Sequence, residues 1–295
     1  MIAIEITYKE IREIFFKKRK RDSQKGDYGR VLIIAGSKGM AGAAILCARG
    51  ALRAGAGLVT LYVPKELIPT VQAAVPGATC LMKDPMPDEL GIYDAVAIGP
   101  GLGTGQGARN AVSYVLKYYE GKLVMDADAL NIIAGTKTKL DDDTIITPHP
   151  GEAARLLDTS TGVIQARREA AAAFLAEKLG CVSVLKGAGT LVSFTDPVLR
   201  LYINTTGNPG MATGGSGDVL TGVIAAFMAQ GMTTLGAARA GVYVHGLAGD
   251  FMANEIGENG LTAEDLPDGV ARALKHLSEN PLPPDFFTER TRKYG

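Results

Sequence analysis

Six short apolar runs in this chain end in glycine, proline or a charged cluster, with helical stretches between them. They are "RVLIIAGS", "LVTLYVP", "AVAIGPGLG", "KLVMDADAL", "TIITPHPGE" and "SVLKGAGTLV"; "AGAAILCARGALRAG" and "ARREAAAAFLAEKLG" are two of the intervening helices. Continuous apolar strands suit a sheet covered on both faces. Strands alternating with helices require crossover units. The fold class is therefore α/β, with a central mostly parallel sheet and helices on both faces. Ligands bind such sheets at the carboxyl ends of the strands. Nearly every glycine or charged cluster here follows a strand, so the chemistry is expected along one edge of one sheet.

Of the 295 residues, 46% are apolar and 21% charged, which suits a real core under a soluble surface. The chain divides into a helical lead-in (1–25), a body (26–278) and an irregular, proline-rich tail (279–295). Lysine plus arginine equals aspartate plus glutamate at 31 each, so nothing pulls the whole chain toward nucleic acid or membrane. No apolar run approaches the roughly 20 residues that span a bilayer, and the N-terminus lacks the order of a signal peptide. Cys47, Cys80 and Cys181 are scattered, which argues for small buried core residues in a reducing compartment. The expected location is the cytoplasm. The basic run Lys17–Arg21 reads as a solvated helix end, or else as an import or anion-binding patch.

The most informative stretch is "NTTGNPGMATGGSGDVLTGVIAAFMAQG", residues 204–231. From Val219 onward Leu220, Val223, Ile224, Phe227 and Met228 form one stripe of a helix, and Gly231 stops it. Gly214, Gly215, Ser216 and Gly217 then lie at the helix N-terminus, where free amides and the dipole favour an anion. Glycines let those amides converge without side chains in the way. Such a site suits a phosphoryl group whose charge grows during transfer. Asp218 stands beside it. A carboxylate there repels phosphate unless it takes a proton from an attacking hydroxyl. The other reading is a simple helix cap, although capping does not call for flanking residues stripped of side chains. There is no P-loop and no G-x-G-x-x-G. "GGSGD" misses the G-x-S-x-G nucleophile elbow because Asp218 stands where glycine is needed.

The set "KGDYGRVLIIAGS", "GPGLG", "MDADAL", "TPHPGE", "LKGAGT" and "GNPGMATGGSGDVLTG", from about Lys25 to about Leu277, resembles one family: the ADP/ATP-dependent NAD(P)H-hydrate dehydratases, of ribokinase-like fold. The resemblance implies a repair reaction. NADH and NADPH become hydrated at C6 of the nicotinamide ring. The enzyme phosphorylates that hydroxyl using ADP or ATP with Mg²⁺, and loss of phosphate restores the double bond. The epimerase domain that often accompanies this one is not seen, so a separate epimerase is the expected functional partner. A homo-oligomer, a tetramer, is expected from the resemblance alone.

Carried over by position, the resemblance makes Asp218 the base on the C6 hydroxyl and gives the amides of Gly215, Ser216 and Gly217 the transferring phosphoryl. Gly217 also touches the adenine nucleotide. That nucleotide falls to Lys186, Gly187, Ala188, Gly189 and Thr190, where two glycines admit phosphate or adenine and Lys186 offers a point charge; a plain β-turn is the alternative. The hydrated dinucleotide falls to Ala43, Gly101, Gly103 and His149. Glu152 takes the place of the superfamily's metal-linked acid, reaching Mg²⁺ through water, or is a first-turn helix acid. Asp126 and Asp128 either assist the metal or cap the next helix. His245 reads as packed within a helix and His276 as surface.

Two other functions share these residues. A small-molecule kinase of the same fold, acting for example on hydroxyethylthiazole, would leave a stable phosphate ester. A non-catalytic nucleotide sensor would bind adenine nucleotide regardless of Asp218. The preferred phosphoryl donor is ADP.

Overall fold

The computed structural model describes residues 2–15, 19–81, 86, 90–195 and 198–284. Ten strands form one sheet: β1 Ile4–Glu5, β2 Arg30–Ile34, β3 Leu58–Tyr62, β4 Thr79–Cys80, β5 Ala95–Ile98, β6 Lys122–Met125, β7 Thr144–Ile146, β8 Val182–Leu185, β9 Thr190–Thr195 and β10 Leu199–Asn204. The helices are α1 Tyr8–Phe15, α2 Ala41–Arg53, α3 Ile68–Ala74, α4 Gln106–Tyr118, α5 Ala127–Ile133, α6 Pro150–Leu157, α7 Thr161–Ala166, α8 Arg168–Leu179, α9 Ser216–Ala229, α10 Thr234–Ile256 and α11 Leu266–Glu279.

The strand order is β1-β10-β9-β8-β7-β6-β5-β2-β3-β4. All neighbours are parallel except at the hairpin-like return, where β9 runs antiparallel to both β8 and β10. The sheet is coated on both faces, as continuous apolar strands require. In β2, Val31 and Ile33 enter a core with α2, α9, α10 and α11, while Leu32 and Ile34 enter a second core with α4, α5, α6 and α8. Period-two alternation thus supplies both cores from one strand.

The lead-in holds more than a helix. Ile4–Glu5 pairs in parallel with β10, and the Ile6 amide donates to the Ile203 carbonyl. Such a two-residue strand has no pattern of its own; its partner imposes it. Helix α1 buries Tyr8 and Ile11, and both Tyr8 Oη and Arg12 Nε donate to the Asn280 carbonyl, so both ends of the described chain meet. His276, expected on the surface, is half-buried, its ring 5.9 Å from Tyr8 and 5.5 Å from Phe251. In the basic run, Arg19 stacks over Tyr28 at 3.7 Å and donates to the Gly55 carbonyl, while Lys17 and Lys18 lie outside the described residues. Most of the tail, residues 285–295, lies outside them too.

Helices α2 and α9 lie against each other backbone to backbone. A Cβ on Gly222 would collide with the Cys47 carbonyl oxygen, and one on Gly50 would come within 2.5 Å of that of Val219. This contact holds the start of α9 at the edge of the sheet. Replacement of Gly222 by alanine should cost at least about 1–3 kcal/mol in urea unfolding, because packed backbone cannot yield as a side chain does.

Candidate active site

The carboxyl ends of β8, β7, β6 and β5 place the turns 186–190, 147–152, 126–128 and 99–103 side by side, and the start of α9 closes over them. The α9 entrance is held from beneath. Its N-cap is Gly215 at φ 96°, a left-handed conformation that costs glycine little. Buried His245 in α10 donates Nε2–H to the Ser216 carbonyl at 2.9 Å. Burial pushes this imidazole down to about 4, so it stays neutral and holds that tautomer. Among the described residues no protein acceptor takes the amides of Gly215 or Gly217, and that of Ser216 reaches the Thr213 carbonyl only at 3.4 Å. Open amides at a helix N-terminus, together with the helix dipole, suit an anion.

Asp218 is the third residue of α9 and not its cap, so the capping reading is replaced. Its carboxylate is half-buried and has no hydrogen-bond partner among the described residues. Burial, and then the Asp126 carboxylate, push it up to about 7; Lys186 pulls the other way, and Glu152 and Asp128 add to the rise. A carboxyl near 7 beside an anion site is suited to proton abstraction at neutral pH.

Lys186 turns inward from the glycine turn. Its Nζ lies 2.7 Å from Asp126 Oδ1 and 4.0 Å from Glu152 Oε2, and a Cβ on Gly217 would come within 3.1 Å of it. Burial alone would lower its pKa, but Asp126, Glu152 and Asp218 outweigh that and hold it raised. The ammonium therefore sits under the α9 entrance. The turn itself has Gly187 at φ 134° and Gly189 at φ 63°.

Asp126 and Asp128 cap no helix with their side chains. Asp126 is buried, salt-bridged to Lys186, and accepts from Thr221 Oγ1 of α9 at 2.8 Å. Asp128 Oδ2 accepts from the Gly103 amide at 2.7 Å and fixes the glycine loop. Ala127 between them has φ 48°, a strained conformation for a residue with a Cβ, of the kind that collects at functional sites. Gly101 and Ala43 face each other: a Cβ on Gly101 would lie 2.8 Å from that of Ala43. His149 caps α6, its Nδ1 accepting from the Gly151 amide at 3.0 Å and its Nε2 lying 3.2 Å from Glu152 Oε1. Both ring nitrogens are engaged, while about half of the side chain stays exposed. Glu152 is buried and its other oxygen accepts from the His149 amide at 2.8 Å. This is a capping box, and the first-turn-acid reading describes it.

Sequence reasoning missed Arg168. Its guanidinium donates to the carbonyls of Leu185, Lys186 and Gly189 at 3.2–3.4 Å and braces the whole 186–190 turn. The available signal was a cation at the start of a helix, where the dipole disfavours it.

Residues 31–272 match the family described as NAD(P)H-hydrate dehydratase. The chain belongs to that family. It is 39% identical to an ADP-dependent (S)-NAD(P)H-hydrate dehydratase of Neisseria meningitidis over 89% of each chain. It is 44% identical to a bifunctional NAD(P)H-hydrate repair enzyme of Coxiella burnetii over 84% of this chain and 51% of that one. The chain thus spans about half the length of the bifunctional curated relatives it matches. The structure of an ADP/ATP-dependent NAD(P)H-hydrate dehydratase from Bacillus subtilis, co-crystallised with ATP and Mg²⁺, superposes with a TM-score of 0.84 at 32% identity, covering 94% of this chain and 99% of that one. The fold is the ribokinase-like one that this NAD(P)H-hydrate dehydratase family shares.

Asp218 carries a sign that stability measurements can read. Its pKa is about 7 folded against 3.8 unfolded, so the native state holds the extra proton between those values. Its contribution to stability therefore falls as pH rises through that window. The melting temperature of Asp218→Asn minus that of the native chain should be near zero at pH 4, grow positive toward pH 7 and level off above 8. A pH-independent difference would contradict the assignment.

Proposed function

We propose that this chain dehydrates hydrated NADH and NADPH back to the reduced cofactors, with ADP as the phosphoryl donor. The observation that carries the reading is the placement of Asp218, half-buried and without a hydrogen-bond partner among the described residues, in the first turn of α9 beside the open amides of Gly215 and Gly217.

Asp218 takes the proton of the C6 hydroxyl as its oxygen attacks the terminal phosphoryl group. Charge growing on the transferring group meets the amides of Gly215, Ser216 and Gly217 and the Lys186 ammonium, all fixed before the reaction begins. The donor lies over the turn of Lys186, Gly187, Ala188, Gly189 and Thr190, which Arg168 braces. The dinucleotide runs past the His149 ring and across Gly101 and Gly103, where Ala43 leaves clearance. Phosphate then departs from C6, pushed by the ring nitrogen, and loss of the neighbouring ring proton restores the double bond. Phosphate leaves where hydroxide could not.

Among the described residues no three histidine, cysteine or acidic side chains are grouped to hold a metal ion. The site fits an ion that brings phosphate and water as ligands, as Mg²⁺ does. Such an ion supplies charge neutralisation on the nucleotide phosphates, and Glu152, already engaged by His149, would reach it only through water. The same reading includes a homotetramer in the cytoplasm, working beside a separate epimerase.

Mixing the protein with hydrated NADH, Mg²⁺ and either ADP or ATP should restore the reduced-nicotinamide absorbance, faster with ADP. Asp218→Asn should slow recovery by about 10²–10⁴-fold with nucleotide binding retained. A stable phosphate ester without recovered absorbance would make the protein a kinase. A rate loss below about threefold would remove Asp218 from the role of base.

A further inference from the structure

His245 is a buried histidine on α10 that the proposed reaction does not use. Its Nε2 lies 2.9 Å from the Ser216 carbonyl oxygen and 3.4 Å from Ser216 Oγ. A carbonyl oxygen can only accept, so Nε2 carries the proton. An Nε2 so occupied cannot take the proton of the Ser216 hydroxyl, and the two do not form a serine–histidine nucleophile pair. Ser216 is the first residue of α9, so its carbonyl joins the helix ladder. That oxygen has two lone pairs, and the imidazole supplies a donor from outside the helix.

Helix α10 holds that ring in place. In the segment before α9, Asn204 Nδ2 donates to the Val242 carbonyl at 3.1 Å and Thr206 Oγ1 to the Tyr243 carbonyl at 3.0 Å. The Gly207 amide and Asn208 Nδ2 donate to the Asp250 carboxylate at 2.8 and 3.1 Å. Helix α10 also packs on α9 itself: a Cβ on Gly241 would come within 2.5 Å of Ile224 Cγ1. It therefore grips both the chain that leads into α9 and the body of α9, and His245 lies between those grips. The entrance that the ring reaches has little constraint of its own. Gly214, Gly215 and Gly217 surround Ser216, and glycine has the widest backbone freedom.

Peptide geometry connects the ring to the anion site. The Ser216 carbonyl and the Gly217 amide share one peptide plane, and in a trans peptide they point in opposite directions. Resting on the proposed dehydratase reading, we infer that His245 is a positioning residue: by holding the Ser216 carbonyl, it aims the Gly217 N–H at the transferring phosphoryl group. The same bond polarises the peptide and strengthens that N–H as a donor. A donor fixed before the reaction stabilises growing charge without having to be ordered during transfer. The ring does this as a neutral group. Burial first, and the Lys186 charge after it, keep it unprotonated, although the bond to Ser216 pulls the other way.

Nitrogen-15 NMR of the native chain should show the His245 proton on Nε2; a proton on Nδ1 would overturn the inference. His245→Leu removes the donor, and His245→Gln keeps an N–H at a similar reach. His245→Leu should lower kcat by about 10–10²-fold, less than the roughly 10²–10³ of a donor removed outright. KM for hydrated NADH should stay within about twofold, since only the transferring group meets that amide. His245→Gln should run at least about fivefold faster than His245→Leu, the scale of one hydrogen bond. The Gly217 amide resonance, titrated with inorganic phosphate, reads the donor without turnover. Its shift should saturate alike in the native chain and in His245→Gln, and need about five- to tenfold more phosphate in His245→Leu. A leucine variant with native kcat and phosphate affinity would overturn the inference. So would a folded glutamine variant as slow as the leucine one, because His245 would then serve packing alone. If His245→Leu does not fold, the ring tautomer and the phosphate titration of His245→Gln decide. If the native chain restores no reduced nicotinamide from hydrated NADH, the dehydratase reading falls, while the tautomer and the phosphate titration still test His245.

Discussion

The buried pair of Lys186 and Asp126 is the contact on which the site depends. It joins the end of β8 to the end of β6, and through Asp126 Oδ2 and Thr221 it reaches into α9. Three elements that are distant in sequence are thereby held at one point of the sheet edge. Ion pairs removed from water are maintained only when both partners stay and their remaining atoms are satisfied. Here each carboxylate oxygen of Asp126 has a donor, one from lysine and one from threonine. Loss of either charged partner would leave the other stranded in a poorly solvated place.

The same pair sets the chemistry. Lys186 is surrounded by more acid than it can neutralise: Asp126, Glu152 and Asp218 all face it. Asp126 takes the salt bridge, Glu152 takes the start of α6, and Asp218 is left with burial and like charges around it. Its raised pKa follows from that division. In the proposed reaction Asp218 is the base and the Lys186 ammonium faces the charge of the transferring phosphoryl group, a preorganised arrangement that needs little rearrangement during transfer.

Much of this was readable in the sequence because the signals were local. Unbroken apolar strands ending in glycine predicted the doubly covered sheet, and the run of bare residues before Val219 predicted the open helix entrance. Glu152 three residues after His149 is the spacing of a capping box, so its helix-start role was also legible as one of two readings. What was not legible depends on meetings across the fold. Asp126 and Lys186 lie 60 residues apart, and only the sheet order brings them together. Arg168 belongs to a helix and acts on a turn. The two residues of β1 become a strand only because β10 offers an edge.

The central claim is that this surrounding charge, together with burial, raises Asp218. Carbon-13 NMR titration of the aspartate side chains, with Asp218→Asn identifying the resonance, measures it directly in the resting protein. The account predicts a midpoint near 7 for Asp218. It also predicts a higher midpoint in Lys186→Met, where the opposing positive charge is gone. A midpoint near the ordinary aspartate value of about 4 would contradict the account, because an ordinary surface carboxylate would then stand where the base is placed.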